Sequence, residues 1–413
     1  MSAFELVGML VAIVAVLGFV NYRFIHLPDI IGITAAGSLL AFALAIVGRH
    51  VPSVVEWAGA LASRIDFPEL VFHGFLGVLL FASSLHIDFA QLARQKWPVL
   101  VLSTIGVLIS TVLVGCGSWW VLGALGETVE LKWCLMFGAL ISPTDPIAVL
   151  GVLKKVSAPK ALEMDIAGES LFNDGMGVVA YLTLLGIATG AMEPTWTGVA
   201  GLLALEVLGA VGVGLVVGYG AFLMLKGVDS HPVEILITIA LATGGYALAE
   251  RLHVSAPLAT VVMGLVIGNH GARDAMSDTT RQRLFEFWDL LDELLNLMLF
   301  GLLALTLLSL MRAEESWLPV VALVPVVLVA RFISVGAPAI VLRPFLQRRT
   351  PHAVKVLTWG GLRGGLSVAL ALSLPDFGQK DLLVLGTYAV VLFSLLVQAP
   401  TLGLLLKRLG LGR

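Results

Sequence analysis

Thirteen apolar stretches of about 20 residues run through this chain, and short charged connections separate them. Because the hydrocarbon core of a bilayer is about 30 Å thick, a helix of about 20 apolar residues is long enough to cross it. Only 13% of the residues are charged, whereas soluble globular domains have about 25%. The pattern predicts an all-α membrane protein with about thirteen transmembrane helices in a single domain, residues 1–413, and no soluble regulatory domain. The helices are predicted at residues 3–20, 28–48, 69–90, 98–125, 131–153, 164–190, 198–226, 232–251, 254–270, 285–311, 317–343, 353–374 and 381–407.

The lysines and arginines are distributed unevenly over the connections, and this asymmetry predicts the orientation. With the N-terminus outside, seventeen of them fall on the cytoplasmic side and six on the outer side. Cytoplasmic connections of membrane proteins carry the excess of positive charge. We therefore expect the N-terminus outside and the C-terminus in the cytoplasm. No basic run suggests a nucleic-acid partner, and the two cysteines fit no metal or disulfide pattern.

The fifth stretch contains two prolines that flank Thr144 and Asp145, in the sequence Ser-Pro-Thr-Asp-Pro (142–146). Each proline lacks an amide donor and clashes with the preceding turn, so we expect the helix to break here. The released carbonyls can face a cavity. Together with a hydroxyl and a carboxylate they form an oxygen-rich environment that suits a small cation. A simple proline kink with a buried aspartate is the alternative.

The sixth stretch carries polar side chains at helical spacing, in the sequence Glu-Ser-Leu-Phe-Asn-Asp (169–174). Ser170 lies above Asp174 on one helix face, and Glu169 lies above Asn173 on the adjoining face. Asp174 and Ser170 can supply oxygens to a dehydrated sodium ion, and the same carboxylate can instead hold a proton. Competition of two ions for one site is the minimum requirement for an antiporter. The alternative is a buried polar network that packs helices.

The twelfth stretch places four glycines around Arg363, in the sequence Gly-Gly-Leu-Arg-Gly-Gly (360–365). Glycine weakens a helix by about 1 kcal/mol per position, so we expect this stretch to be unwound. An arginine there can bind released carbonyls and pair with an acid, and Glu169 is the natural partner for a structural ion pair. Close packing through small residues explains the glycines but not the arginine. Arg331 also lies inside an apolar stretch and is a candidate supporting residue.

Weak internal repetition indicates two related halves. Residues 27–39 and 256–268 each carry a proline near the start and a glycine near the middle of an apolar run. These two stretches are seven positions apart in the series, as are the two interrupted ones. Because seven is odd, the second copy is inverted in the membrane. Two inverted six-helix repeats with broken helices at matching positions are typical of secondary transporters.

The three motifs, in this order and at these separations, resemble the monovalent cation:proton antiporter family of the NhaP type, a relative of the animal sodium/proton exchangers. The resemblance extends over essentially the whole chain, including Leu-Val-Ile-Gly-Asn (265–269) and Ala-Arg-Phe-Ile-Ser-Val (330–335). It implies the thirteen-helix inverted-repeat fold of the NhaA and NhaP type and a homodimer. It also implies a moving core domain built from helices 4–6 and 11–13, in which the fifth and twelfth helices are unwound where they cross.

By matched position, the resemblance implies that Asp174 carries both the cation and the proton. Thr144 and Ser170 would be further ligands of a sodium ion, and Glu169 would pair with Arg363. The candidate cation- and proton-binding residues are Asp174, Ser170, Thr144, Asn173 and Asp145.

The third helix departs from the family pattern. Related members often carry an acid in this helix, in a stretch where the present chain has Ala82. That carboxylate has no counterpart at this position, and we expect Ser83, Ser84 or water to replace it.

We expect a secondary active antiporter in the bacterial inner membrane that exchanges a monovalent cation for protons by alternating access. Sodium is the expected cation, with lithium and potassium as alternatives, and no enzyme activity or cofactor is expected. A cation channel is the first rival function, but the sequence contains no repeated filter or charged ring. An intramembrane aspartyl-type enzyme is the second, and it leaves Arg363 and Asn173 without roles.

The residue before Asp174 predicts the stoichiometry. The family divides according to whether this residue is asparagine or a second aspartate, and the asparagine form, here Asn173, resembles the electroneutral exchangers. If Arg363 neutralises Glu169, one exchangeable carboxylate is left on this helix. We therefore expect exchange of one cation for one proton.

Overall fold

The computed structural model describes residues 3–48, 66–156, 158–192, 195–310, 317–341 and 352–411. Within these residues the chain is helical and contains no β-strand. Eight of the helices described there are long and apolar enough to cross a membrane. The predicted class, an all-helical multi-pass membrane protein, is therefore confirmed.

The helices follow one another along the chain with short connections, and several contain a π-type turn. Those of the first half are α1 Ala3–Val20, α2 Asp29–Gly48, α3 Phe67–Leu85, α4 Phe89–Arg94, α5 Lys96–Ala124, α6 Leu131–Ile141, α7 Ile147–Lys155 and α8 Lys160–Ala188. Those of the second half are α9 Trp196–Lys226, α10 His231–Arg251, α11 Ala256–Val266, α12 Asp278–Leu310, α13 Trp317–Val341, α14 Ala353–Trp359, α15 Gly365–Leu372 and α16 Lys380–Arg408.

Side-chain caps and prolines fix several helix starts. The Asp66 carboxylate accepts a hydrogen bond from the Glu69 backbone amide at 3.0 Å and starts α3. The Asp88 carboxylate accepts hydrogen bonds from the amides of Ala90 and Gln91 and starts α4. Such caps satisfy amide groups that have no partner within the helix, and carboxylates also interact favourably with the helix dipole.

The helices pack in two groups. We call α1–α3 and α9–α12 the scaffold group, because α2 packs along α12, and α11 packs against α3, α9 and α10. We call α5–α8 and α13–α16 the core group, because α5 packs along α6 and α13, and α16 packs against α13 and α15. Glycines permit the closest approaches: a Cβ at Gly138 would overlap the Thr111 carbonyl of α5. The two groups meet along α8, α11, α3 and α15, and the polar cavity lies between them.

Candidate ion-binding site

Two helices of the core group are interrupted at the same place. The first interruption separates α6 from α7, where Pro143 and Pro146 stop the helical hydrogen bonding. The second separates α14 from α15 at the glycines around Arg363. The Asp145 amide donates to the Leu362 carbonyl at 2.9 Å, so the two unwound segments are in direct contact.

Glycines make this contact possible. A Cβ at Gly364 would overlap the Asp145 carboxylate, and a Cβ at Gly361 would overlap the Arg331 guanidinium. Both glycines are needed here for close approach, and neither has a positive φ angle. The glycine-rich sequence therefore allows the two breaks to lie against each other.

Arg363 holds the two breaks together. Its side chain is buried, and its guanidinium Nη1 donates to the carbonyls of Ser142 and Pro143 at 2.5 and 2.8 Å. The Arg363 amide donates to the Ser394 hydroxyl at 3.1 Å. Carbonyls released by the prolines thus bind a buried cationic donor, as the sequence predicted for this arginine.

The predicted ion pair between Glu169 and Arg363 is wrong. Glu169 instead pairs with Arg331 of α13, whose Nη1 lies 2.6 Å from Oε1 of the carboxylate. Both side chains are buried. The Arg331 guanidinium also donates to the Leu357 carbonyl at 3.2 and 3.3 Å, so it joins α8, α13 and α14. Arg363 uses Nη1 for the carbonyls of the first break, and its Nη2 has no hydrogen-bonding partner among the described residues, so it forms no ion pair with Glu169 there.

Thr144, Ser170 and Asn173 form a buried polar cluster. Asn173 donates from Nδ2 to the Thr144 hydroxyl at 2.7 Å and accepts the Thr144 amide at 3.2 Å. The Thr144 and Ser170 hydroxyls are 3.0 Å apart. Both ends of the Asn173 amide are therefore used by Thr144, and Asn173 does not line the cavity. It positions Thr144 on the broken segment, whereas Thr144 and Ser170 face the cavity.

Asp174 lies next to this cluster on α8. Its carboxylate lines a cavity of about 590 Å³ together with Thr144, Ser170 and Asp145. Among the residues that the structure describes, it has no hydrogen-bonding or ionic partner. A carboxylate without a partner beside two hydroxyls can bind either a small cation or a proton.

Asp145 has a local structural role. Its Oδ1 accepts the Ile147 amide at 2.9 Å and caps α7. Its carboxylate also lines the cavity. The sequence-predicted set therefore comes together at one place, with Thr144, Ser170, Asp174 and Asp145 in the cavity wall and Asn173 behind it.

The cavity wall is strongly negative. Six acidic residues line it against two lysines, and a negative cleft raises the local concentration of cations. Asp88 lies in a connection outside the membrane-spanning segments. The backbone amide of Gln91, and then its side chain, donate hydrogen bonds that lower the pKa of Asp88 below its ordinary value, so this carboxylate stays charged. The acidic residues are Asp88, Asp145, Glu163, Asp174, Asp289 and Asp292, and the lysines are Lys154 and Lys160.

Sequence reasoning missed the contribution of α12. Asp289, Asp292 and Asn296 from this helix line the same cavity as Asp174. Their spacing of three and four residues puts them on one helix face, and this spacing was the available signal. These residues lie in the charged first half of a long helix. Acids in such a position resemble the solvent-exposed acids of a helix end, so the sequence alone does not mark them as part of a site.

The third helix has no carboxylate facing the site at the position where relatives often carry one. Ala82 is buried, and Ser84 donates its hydroxyl to the Phe81 carbonyl at 2.8 Å. Ser83 lines the cavity and Ser84 does not. Of the two serines expected to replace the acid, Ser83 is therefore the one in position.

Residues 9–408 match the family model described as sodium/hydrogen exchanger, transmembrane. The chain is 47% identical to the Na(+)/H(+) antiporter NhaP of Pseudomonas aeruginosa, over 99% of this chain and 97% of that protein. The chain belongs to the sodium/hydrogen exchanger family. It is also 34% identical to the Na(+)/H(+) antiporter NhaH of Halobacillus dabanensis, over 93% of this chain and 92% of that protein.

The fold of this family member is similar to that of a solved transporter. The sodium proton antiporter MjNhaP1 from Methanocaldococcus jannaschii superimposes with a TM-score of 0.75 and 20% identity, covering 99% of each chain. The similarity confirms an NhaP-like fold. Together with the matched family, it confirms the resemblance that the three motifs carried.

Proposed function

We propose that this protein is a secondary antiporter that exchanges Na+ for H+ across the membrane, with both ions competing for the Asp174 carboxylate. The observation that carries the proposal is the position of Asp174. It lies in a negative cavity with the hydroxyls of Thr144 and Ser170, and it has no partner within the described ranges. The names of the relatives in the same family, which are Na+/H+ antiporters, support this function.

The polar cluster and the break would supply the ion ligands. Thr144 and Ser170 offer hydroxyl oxygens, and Asp174 offers the charge that neutralises the cation. Asn173 holds Thr144 in place through two hydrogen bonds, so the broken segment keeps its hydroxyl directed toward Ser170. When a proton occupies Asp174 the carboxylate is neutral and no longer attracts the cation, which makes occupation by the two ions mutually exclusive.

Alternating access would come from movement of the core group against the scaffold group. The cavity is lined by residues near the connections that flank α4 and α7, among them Gln91 and Lys154. At the opposite end α15 packs on the first turns of α3, and Trp133 stacks on Phe377 with ring centroids 4.3 Å apart. In the orientation predicted from the basic residues, the cavity opens to the cytoplasm and is closed toward the outside.

The finer architecture belongs to the same proposal. We infer thirteen crossings in two inverted six-helix repeats, with α6–α7 and α14–α15 each counting as one interrupted crossing. We place the N-terminus outside, the C-terminus inside, and the protein in the bacterial inner membrane as a homodimer. Support for the dimer comes from α9. Of the eight apolar spans in the described residues it has the smallest buried fraction, so most of its surface is available for contact with a second copy of the chain.

Neither rival function gains support. An aspartyl-type enzyme would need two carboxylates that share a proton, but Asp145 caps α7 through the Ile147 amide. A channel is not supported either, because the two relatives named above are both antiporters.

The test of the proposed function is proton flux in proteoliposomes that contain the purified protein and a trapped pH dye. A pH gradient, acid inside, is imposed and Na+, Li+ or K+ is added outside. We expect Na+ to cause proton efflux that saturates with concentration, and choline to cause none. Absence of cation-driven proton efflux for all three ions would contradict the antiporter function.

A further inference from the structure

A second group of oxygens lines the cavity on α12, a helix of the scaffold group. Asp292 and Asn296 are four residues apart and therefore lie on the same helix face. Both line the cavity that also contains Asp174. The Asn296 side chain is only 1% exposed, although its amide carries both a donor nitrogen and an acceptor oxygen.

The Asn296 side chain has a defined orientation. Its Nδ2 donates to the Asp292 carbonyl at 2.8 Å, which is the ordinary geometry of a hydrogen bond along a helix. A flipped amide would set two oxygens against each other, so the assignment of Oδ1 is fixed by this contact. The side chains of Asn296 and Asp292 interact with each other. Oδ1 of each is nevertheless buried and accepts no hydrogen bond in the part of the chain that the structure describes.

A third unpartnered oxygen lines the cavity from α15. The Ser367 side chain is 1% exposed, and its hydroxyl has no partner within the described residues. The helices that carry these groups pack directly on one another, since a Cβ at Gly365 would overlap Leu299, one helical turn after Asn296. Buried oxygens without partners are costly, and three in one cavity wall indicate a ligand that they serve together.

We propose that Asp292, Asn296 and Ser367 form a second binding site for a monovalent cation in the cavity, separate from the one at Asp174. One carboxylate, one amide oxygen and one hydroxyl suit a singly charged hard cation. The described residues contain no cluster of acids, cysteines and histidines for a multivalent metal. The site lies where the two groups meet, with Asp292 and Asn296 on the scaffold group and Ser367 on the core group, and it supplies the cation to Asp174.

The inference rests on the proposed function for the identity of the cation, so binding is measured apart from transport. Equilibrium binding of radioactive 22Na+ to the purified protein in detergent is compared for Asp174→Asn and for Asp174→Asn combined with Asp292→Asn. We expect the single variant to retain one sodium site per chain and the double variant to lose it. Adding Asn296→Leu in place of Asp292→Asn should weaken the remaining site by roughly tenfold.

The matched control is Glu293→Gln, which removes one carboxylate from the neighbouring position of the same helix. Glu293 is exposed and does not line the cavity. In the Asp174→Asn background it should leave sodium binding unchanged, while Asp292→Glu should restore most of the binding that Asp292→Asn removes. Size-exclusion profiles and thermal unfolding of every variant establish that it is folded.

Transport gives an independent readout in proteoliposomes. With Asp174 intact, Asp292→Asn should raise the KM for Na+ by about tenfold and change the maximal rate less than about twofold, because the carrier itself is preserved. The proposal is overturned if Asp174→Asn binds no sodium while the wild type does, or if folded Asp292→Asn has the wild-type KM. Wild-type protein that binds sodium at the α12 site without exchanging protons would contradict the proposed function and leave the second site standing.

Discussion

The Asp174 carboxylate lines the cavity without a partner among the described residues. The hydroxyls of Thr144 and Ser170 line the same cavity and come from different elements, the break after α6 and the helix α8. Each residue around it has a distinguishable part. Thr144 and Ser170 face the cavity, Asn173 positions Thr144, and Asp145 caps α7. Because the roles differ, we expect substitutions at neighbouring positions to affect different properties, such as exchange activity at one position and stability at another.

Substitution of Asp174 by asparagine should abolish exchange. The amide can neither take up a proton nor neutralise a bound cation, whereas its shape is nearly that of the carboxylate, so the fold should be retained. Cation-driven proton efflux in proteoliposomes measures the loss. Glu163→Gln is the control, because it removes an acid from the same helix near the cavity mouth and should leave exchange active. Strong Na+-driven efflux from the Asp174→Asn protein would remove the central claim.

The buried pair of Glu169 and Arg331 should be coupled in stability. Removing one partner of a buried ion pair leaves an uncompensated charge and typically costs about 3–5 kcal/mol, whereas removing both costs much less. Glu169→Gln and Arg331→Met should each lower the thermal midpoint in detergent, and the double variant should lose less than the sum.

Arg363 supplies the comparison for this cycle. Glu169→Gln combined with Arg363→Met should be closer to additive, because Arg363 binds carbonyls of the break instead of the acid. Strict additivity for the Glu169 and Arg331 pair, together with strong coupling to Arg363, would contradict the structural assignment.

The chemistry of single residues was more predictable than their partners. Prolines around Thr144 and glycines around Arg363 predict broken helices from local physics alone. The choice of Arg331 over Arg363 as the partner of Glu169 depends on where α13 places the Arg331 guanidinium relative to α8, and that is decided by the packing of segments distant in the chain. Asp292 was missed for a similar reason, because only the packing of α12 against α15 brings it to the cavity.

At the scale of elements, the crossing of the two broken segments is the feature on which the site depends. The backbone contact from Asp145 to Leu362, the Arg363 side chain and the glycines on either side all join the same two segments. The remaining helices follow the apolar pattern closely, since burial in lipid requires continuous helical hydrogen bonding. Positions where helices end are less predictable, because caps and π-type turns extend or shorten them.

Gly364→Ala should disturb this crossing. The φ of Gly364 is −118°, which alanine tolerates, so the expected damage comes from overlap of the new Cβ with the Asp145 carboxylate. Overpacking of this kind costs about 1–3 kcal/mol, and exchange should fall together with the thermal midpoint. Gly212→Ala in α9 is the matched control, because nothing lies within 4 Å of a Cβ there, and it should be neutral or slightly stabilising. Equal effects of the two substitutions would show that the crossing tolerates added bulk.

At the scale of the whole molecule, the proposed ion ligands are divided unequally between the two packing groups. Asp174, Thr144, Ser170, Asp145 and Ser367 belong to the core group, whereas Asp292 and Asn296 belong to the scaffold group. In the proposed mechanism, movement of the core group would separate its oxygens from those of Asp292 and Asn296. Only charges carried with the core group contribute to the charge transported in each cycle, so the stoichiometry is a property of this division.

Exchange should be one-for-one and electroneutral. Glu169 is neutralised by Arg331, and Asp145 is engaged as the cap of α7, which leaves Asp174 as the exchangeable carboxylate of the core group. It binds one cation or one proton, so the core crosses the membrane with the same net charge in both directions. Moving a net charge across 100 mV would be worth about 2.3 kcal/mol, and an electroneutral exchanger does not use that energy. A potassium diffusion potential imposed with valinomycin should therefore leave the rate and end point of Na+-dependent proton movement unchanged. The Asp145→Asn variant is the internal check, since it should also remain insensitive to voltage if it is active. A shift of the end point with voltage, or a transport current on a supported membrane, would mean that a second proton moves with the core, and Asp145 would then be the first candidate for its carrier.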